Sequence, residues 1–497
     1  MSPGLTRRSM VRQSALTTLG LAGTALLAAC GGAVTTTAQA AARSAATPSI
    51  AASSASSVAR ASTSTTTTSS NPTATSAAAS ASSTTKASPT TSTAAVAQSG
   101  KVTLTYISPA SPGRFDVENA IYADFTKENP GIAVEIVGGS SGWTAVEEKL
   151  KASIAGDQPI NLFQNGWGYW ADIQSRMVEF TSYLARDKMD PQKIFIPLAI
   201  DYFTQGGKLW AMPLVGISVD ALAYNQDLFE ANGLAYPPSD PTDASWTMET
   251  FLEYAQKLTK ADKLQFGFGG SPGGDDTGGQ ERPTYFGQWP WDDKAQKSMM
   301  DQPKAVEGMQ FFKDLRDKYS VQPNAAQVKS ISAKGNIFTS AKIGMQVIYG
   351  YVPRQTFRWA IAPLPHSNST NIAGRQYAQP LQATKTALLE QTWTLLKWLS
   401  VPAHAARFPL SAHYAVSPVI GASALAISTY KEQIGVDPTA FQQMADRSDP
   451  QVQERYLGWN QVGDWMGKNF PLFDQGKLSA ADYGKAATDY INANLLK

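Results

Sequence analysis

The run Gly138-Gly139-Ser140-Ser141-Gly142 matches G-x-S-x-G and lies between a predicted strand and a predicted helix. That is the context in which a sharp turn presents a serine nucleophile. Acyl transfer at Ser140 would need a histidine to take its proton and a carboxylate to orient the ring. The histidines are His366, His404 and His413, each in a segment without a supporting motif. Gly269 to Gly273 fits the same pattern but no helix follows it. Because Gly/Ser-rich turns are common between strands and helices, a surface serine hydrolase built on Ser140 stands as the alternative reading.

Metal and cofactor chemistry has less support. The histidines show no i, i+4 spacing, and Asp275-Asp276 and Asp292-Asp293 lack the spaced oxygen ligands of a calcium loop. Neither a phosphate-binding loop nor a dinucleotide fingerprint is present. The expectation is no enzyme activity, no metal and no cofactor.

Aromatic residues are plentiful, with 12 Trp, 18 Tyr and 19 Phe, and several stand in polar or Gly-rich settings instead of on apolar helix faces. Examples are NGWGYW (165–170), QWPWDD (288–293), YGYVPR (349–354) and GWNQVGDW (458–465). A flat aromatic face beside amides and carboxylates suits a sugar, whose ring offers an apolar C–H face and a rim of hydroxyls. The competing reading is that each ring belongs to the core, where large aromatics commonly sit.

The lone cysteine, Cys30, offers no disulfide and no cysteine metal cluster. Ahead of it come Arg7, Arg8 and Arg12, then a moderately apolar run rich in Thr and Gly. The paired arginines resemble a twin-arginine export signal, with Met10 where Phe is usual, and Leu27-Ala28-Ala29-Cys30 resembles the lipobox of bacterial lipoproteins. Acylation of Cys30 would hold the protein at a membrane without a spanning helix. An ordinary cleavage site with an incidental cysteine is the alternative. Loss of residues 1–29 removes three arginines and no acidic residue, taking the formal charge from +2 to −1. Neither value suggests a nucleic-acid partner.

The elements that must position the aromatics begin after a long low-complexity segment. Residues 30–100 are mostly Ser, Thr and Ala, a composition that buries too little apolar area to offset its ordering entropy. They read as a disordered tether whose coil of about 70 residues reaches roughly 45 Å. From Lys101 the pattern turns α/β. VTLTYIS, IAVEIVG and INLFQN read as strands, separated by helices with Val117, Ile121 and Phe125 on one face of the first and Val146, Leu150 and Ile154 on one face of the second. That order demands a parallel βαβαβ unit with right-handed crossovers. WTMETFLEYAQKLTKA, KAVEGMQFFKDLRDKY, TWTLLKWLS and DYGKAATDYINANLLK read as helices, and IGMQVIY and WAIAPLP as strands. About 400 residues are too many for one ordinary core and indicate two domains.

From about Val102 to the C-terminus, FTKENPGIAVEI, GDQPINLFQNGW, GGKLWAMPLVGISVDALAYNQDLFEANGL, WTMETFLEYAQKLT, IFTSAKIGMQVIYGY, WAIAPLP and LLKWLS follow in an order that resembles the family 1 extracellular solute-binding proteins of ABC importers. The resemblance implies a two-lobe periplasmic-binding-protein-like α/β fold, with hinge-linked parallel-sheet lobes closing over a ligand. It implies lobe 1 at 101–213 plus 380–425 and lobe 2 at 214–379 plus 426–497. It places ligand contacts at Arg114, Asn165, Trp167, Asp220, Tyr285, Trp289, Trp291, Tyr351 and Trp459. Asn161 stands where the family usually has Asp, and Tyr351 where it has Trp. The implied protein is a monomer on the outer face of the bacterial membrane, anchored through Cys30, that captures a carbohydrate and delivers it to ABC permease subunits.

Overall fold

The computed structural model describes residues 101–109, 112–138, 143–158, 160–164, 173–270, 279, 282–292, 297–331, 336–349, 354–366, 376–411, 414–447 and 459–494. All of them fall in one unit, Ala94–Lys497; the other, Met1–Thr93, lies outside the described residues. Cys30 and the whole tether therefore lie outside them as well.

The first strands and helices fold as their patterns demand. They are β1 (Val102–Ile107), α1 (Pro112–Glu128), β2 (Ile132–Ile136), α2 (Trp143–Ala155) and β3 (Leu162–Phe163). The strands form a parallel sheet in the order β2-β1-β3, with Tyr106 opposite Ile136 on one side and Leu162 on the other. Ile121, Tyr122 and Phe125 of α1 pack with Leu104 and Tyr106, while Val146 and Leu150 of α2 pack with Ile107 and Phe163. Alternation along β1 thus feeds two apolar layers, and each fully buried Ile or Phe contributes about 1.5–3 kcal/mol. At the end of α1, Asn129 Nδ2 donates to the Phe125 carbonyl and the Pro130-Gly131 turn brings the Gly131 carbonyl to Val102 N.

A two-stranded antiparallel ribbon follows, formed by β4 (Met212–Val219) and the later strand Gln376–Leu381. Every residue of β4 is buried, as is usual for a strand covered on both faces. The chain then passes through Asp220 into β5 (Ala221–Asn225), which belongs to a second sheet. That sheet also contains β6 (Phe266–Phe268), β7 (Ile343–Ile348) and β8 (Trp359–Ala362), in the order β8-β5-β7-β6. Among the described residues of this sheet only β6 and β7 pair in parallel; β5 runs antiparallel to both of its neighbours. The parallel arrangement expected of both lobes thus describes the first sheet, whereas the second is mixed, because β5 enters it directly from the ribbon and not through a helical crossover.

The ribbon strand Gln376–Leu381, here β9, pairs Gln379 with Gly216 and Leu381 with Met212, so the register slips between them. Pro213 and Pro380 fall within the slip, and neither has an N–H to give to the ladder. Beyond β9 the chain rejoins the first sheet, where Gln382 bridges to Phe163 and Thr384 to Met177. The helical stretches read from sequence appear as α3 (Met248–Leu258), α4 (Pro303–Asp317), α5 (Leu389–Leu399) and, at the end, α8 (Ala480–Asn494); α6 (Ser423–Ile434) and α7 (Trp459–Asp474), between α5 and α8, are helices that the sequence pattern did not mark. Thr247 caps α3 by accepting the Thr250 N–H, and Gly435, with φ 79°, closes α6. α7 and α8 hold their own apolar cluster, with Met300, Met309 and Trp291 packed into it.

Candidate functional site

In an α/β sheet the carboxyl ends of parallel strands leave backbone termini and loop side chains facing one crevice. Here that edge carries a buried polar cluster. Ser108 follows β1, Gln164 follows β3, and Arg114 and Glu118 face them from α1, spaced i, i+4 so that both side chains share one face. Arg114 Nε donates to Glu118 Oε1 at 2.8 Å, Arg114 Nη2 donates to Gln164 Oε1, and Ser108 Oγ donates to Glu118 Oε2 at 2.9 Å. Arg114 is 6% exposed and Glu118 0%.

Burial works against the Arg114 charge, but the charge and hydrogen bond of Glu118, together with Tyr106 and Tyr414, outweigh it and hold the guanidinium above its usual range. Burial, reinforced by Glu118, also pushes the Tyr106 phenol up, and burial does the same at Tyr122. Both phenols therefore stay neutral at physiological pH. The cluster pairs its charges internally, and it holds the end of β3 through Gln164 instead of presenting an acid and base for proton transfer.

Arg114, expected as a ligand contact, thus spends its Nε and Nη2 groups inside the protein. Asp220 is wholly buried where the ribbon meets the second sheet. Tyr285 lies in a 3-10 turn (Arg282–Phe286), edge-on to Phe312 with centroids 4.8 Å apart. Trp291 is buried in the cluster of Met300, Met309 and Met466, while Trp289 is half-buried. Trp459 opens α7, but its side chain, like Asn165, Trp167 and Tyr351, lies outside the described residues. Asn161 is structural: its Oδ1 accepts the Thr105 N–H and its Nδ2 donates to Thr386 Oγ1, both at 2.9 Å.

Ser140 and His413 lie outside the described residues. His366 Nε2 is 3.0 Å from the Asp243 carbonyl, and His404 Nδ1 is 2.8 Å from the Trp398 carbonyl with its ring stacked on Trp398. Among the described residues no group of His, Cys, Asp and Glu could hold a metal, and no helix is long and apolar enough to cross a membrane. A cavity of about 330 Å³ lies at the amino-terminal end of β3, lined by Asp157, Arg176, Lys385 and Thr386, and shares no residue with the polar cluster.

Sequence reading passed over Ser108, Glu118, Gln164 and Gln382. The i, i+4 spacing of Arg114 and Glu118 was a readable signal. The two glutamines carried none, since strand ends give no periodicity to break.

The family model for bacterial extracellular solute-binding proteins matches residues 109–406. Curated binding proteins of Brucella abortus and Brucella suis are 25% identical over 292 residues, covering 55% of this chain; the chain spans 65% of their length. Among solved structures, an ABC substrate-binding protein of Listeria monocytogenes in complex with cycloalternan superposes with a TM-score of 0.66 at 20% identity, over 79% of this chain and 98% of that one. Maltose-bound MalE3 of T. maritima gives 0.63 at 19% identity, over 79% and 99%. The sugar-binding protein MalE of Xanthomonas citri gives 0.62 at 18% identity, over 79% and 97%.

Proposed function

Because this chain belongs to the bacterial extracellular solute-binding proteins, we propose that it captures a carbohydrate between its two lobes and delivers it to the permease of an ABC importer. It binds and does not catalyse. The observation that carries the reading is the polar carboxyl edge of the first sheet, next to a ribbon that is the structural link to a second sheet. Similar structures were solved with cycloalternan, maltose and tagatose, so the ligand class proposed is a neutral mono- or oligosaccharide. The aromatic residues Trp167, Trp289, Tyr351 and Trp459 supply stacking faces in this reading, and Asn165 and Asp220 supply hydrogen bonds. Cys30 carries a lipid that keeps the monomeric protein on the outer membrane face, with residues 30–100 as its tether.

A ligand that binds only the folded state stabilises it, by about 2.7 kcal/mol at a hundredfold excess over Kd. The test is a thermal-shift titration of the full chain with maltotriose, cycloalternan, tagatose and ribitol. A saturable rise in melting temperature with at least one of them is expected. No rise with any of the four would sink the carbohydrate reading.

A further inference from the structure

Gln382 is the residue at which the ribbon rejoins the first sheet, and its backbone is fully used. Its N–H donates to the Phe163 carbonyl and its carbonyl accepts the Phe163 N–H, both at 2.9 Å. Residues that exchange two such bonds stand directly opposite one another and point to the same face. The Gln382 side chain therefore stands beside Phe163, the last residue of β3. That face is apolar: Phe163 belongs to a cluster with Ile107, Val146 and Met177.

The Gln382 side chain is 0% exposed, and neither its Nε2 nor its Oε1 finds a hydrogen-bond partner among the described residues. The neighbouring amides differ. Asn161 uses its Oδ1 and Nδ2 on Thr105 and Thr386, and Gln164 Oε1 receives Arg114. Burying an amide with nothing to bond is costly, and native proteins seldom do it. A carboxylate in the same place could escape by taking a proton; an amide cannot.

An isolated amide on an apolar wall, at the carboxyl edge of a parallel sheet, is the composition of a ligand pocket, where a few polar groups give orientation. We propose that Gln382 is a ligand-recognition residue whose amide donates to one hydroxyl and accepts from another on a neutral polyhydroxylated ligand. Its lack of charge selects against acids and phosphates, which would leave a buried anion without a counterion. The inference rests on the carbohydrate reading and adds to it the residue that reads the hydroxyls.

The test compares the full chain with Gln382→Met, which keeps the side-chain volume and removes both hydrogen-bonding groups, and with Gln382→Leu in case the first fails to fold. Melting temperature without ligand and affinity for maltotriose, tagatose and ribitol are both measured. The expected result is an unchanged or higher melting temperature with at least a tenfold loss of affinity for the saccharide that the wild type binds. Equal affinity overturns the inference, whether the melting temperature rises, as for an amide with no role, or falls, as for one that only holds a structural water. Binding of no saccharide by the wild-type chain overturns the carbohydrate reading and this inference together; binding by the wild type and equally by Gln382→Met overturns this inference alone.

Discussion

Gly216 of the ribbon lies face to face with Tyr414: a methyl group added at Gly216 would come within 2.6 Å of Tyr414 Cδ2. The segment carrying Tyr414 is attached to the same strand two residues on, through the Val416–Ile217 bridge, and the added methyl would also lie 3.0 Å from Tyr414 Cβ, so turning the ring does not relieve the crowding and the bridge restrains the backbone from retreating. Gly216→Ala is expected to destabilise the protein by about 1–3 kcal/mol, the usual cost of overpacking. Chemical denaturation measures it. Adding Tyr414→Leu should recover part of the loss, and a double variant no more stable than the single one would remove the ring as the cause.

Arg114 and Glu118 form an ion pair sealed from water. Removing one partner strands the other, so Arg114→Leu should cost about 3–5 kcal/mol, while replacing both residues by apolar ones of similar volume should cost much less. Equal losses in the single and double variants would show that packing, and not the stranded carboxylate, sets the cost.

Trp289 and Trp291 are separated by a single residue yet differ in burial, one half-buried and the other in the core. Trp291→Ala should lower stability by about 3–5 kcal/mol. Trp289→Ala should leave stability nearly intact and, if the ring stacks on ligand, weaken binding by roughly thirtyfold, or about 2 kcal/mol. Unfolding curves and ligand titrations on both variants separate the two roles.

Several surface carboxylates are held down by partners. Arg358, and then Tyr236, lower Glu230 to about 2; Lys127 and Arg407 lower Asp124, and Thr242 lowers Asp240. A carboxylate with a lower pKa in the folded state than in the unfolded one stabilises the fold above the ordinary carboxylate range of about 4, and that contribution is lost as pH falls toward the folded value. Melting temperature should therefore be nearly flat around neutrality and decline between about pH 5 and 2. Arg358→Met should flatten part of the decline, and added salt should shrink it because these pairs are exposed. A decline unaffected by either change would assign acid sensitivity to other groups.

Cys30→Ser should leave ligand binding unchanged and release the protein from the membrane fraction. Retention of the serine variant in membranes after a high-salt wash would exclude the lipid anchor.

Local chemistry in the sequence determined the βαβαβ unit. Val117, Ile121 and Phe125 recur at helical spacing and stop at Pro130-Gly131, and the apolar runs at 102–107 and 132–136 are the right length for strands between helices. Periodicity reports which face of an element is buried, and for β1, α1 and α2 that was enough to make the sheet parallel with right-handed crossovers, while the order β2-β1-β3 came only with the tertiary structure. Periodicity also made the helices α3, α4, α5 and α8 legible. Tertiary structure alone decided the mixed second sheet, the register slip around Pro213 and Pro380, and the polar edge. Arg114 reaches Gln164 across 50 residues, and Gln382 meets Phe163 only because the ribbon returns the chain to the first sheet. The resemblance placed ligand contacts at Arg114 and Trp291, and the fold pairs Arg114 with Glu118 and packs Trp291 among methionines. Residue type announces what a side chain can bond or stack against, but whether the partner is a ligand, Glu118 or a methionine cluster depends on which distant segments the fold brings to it.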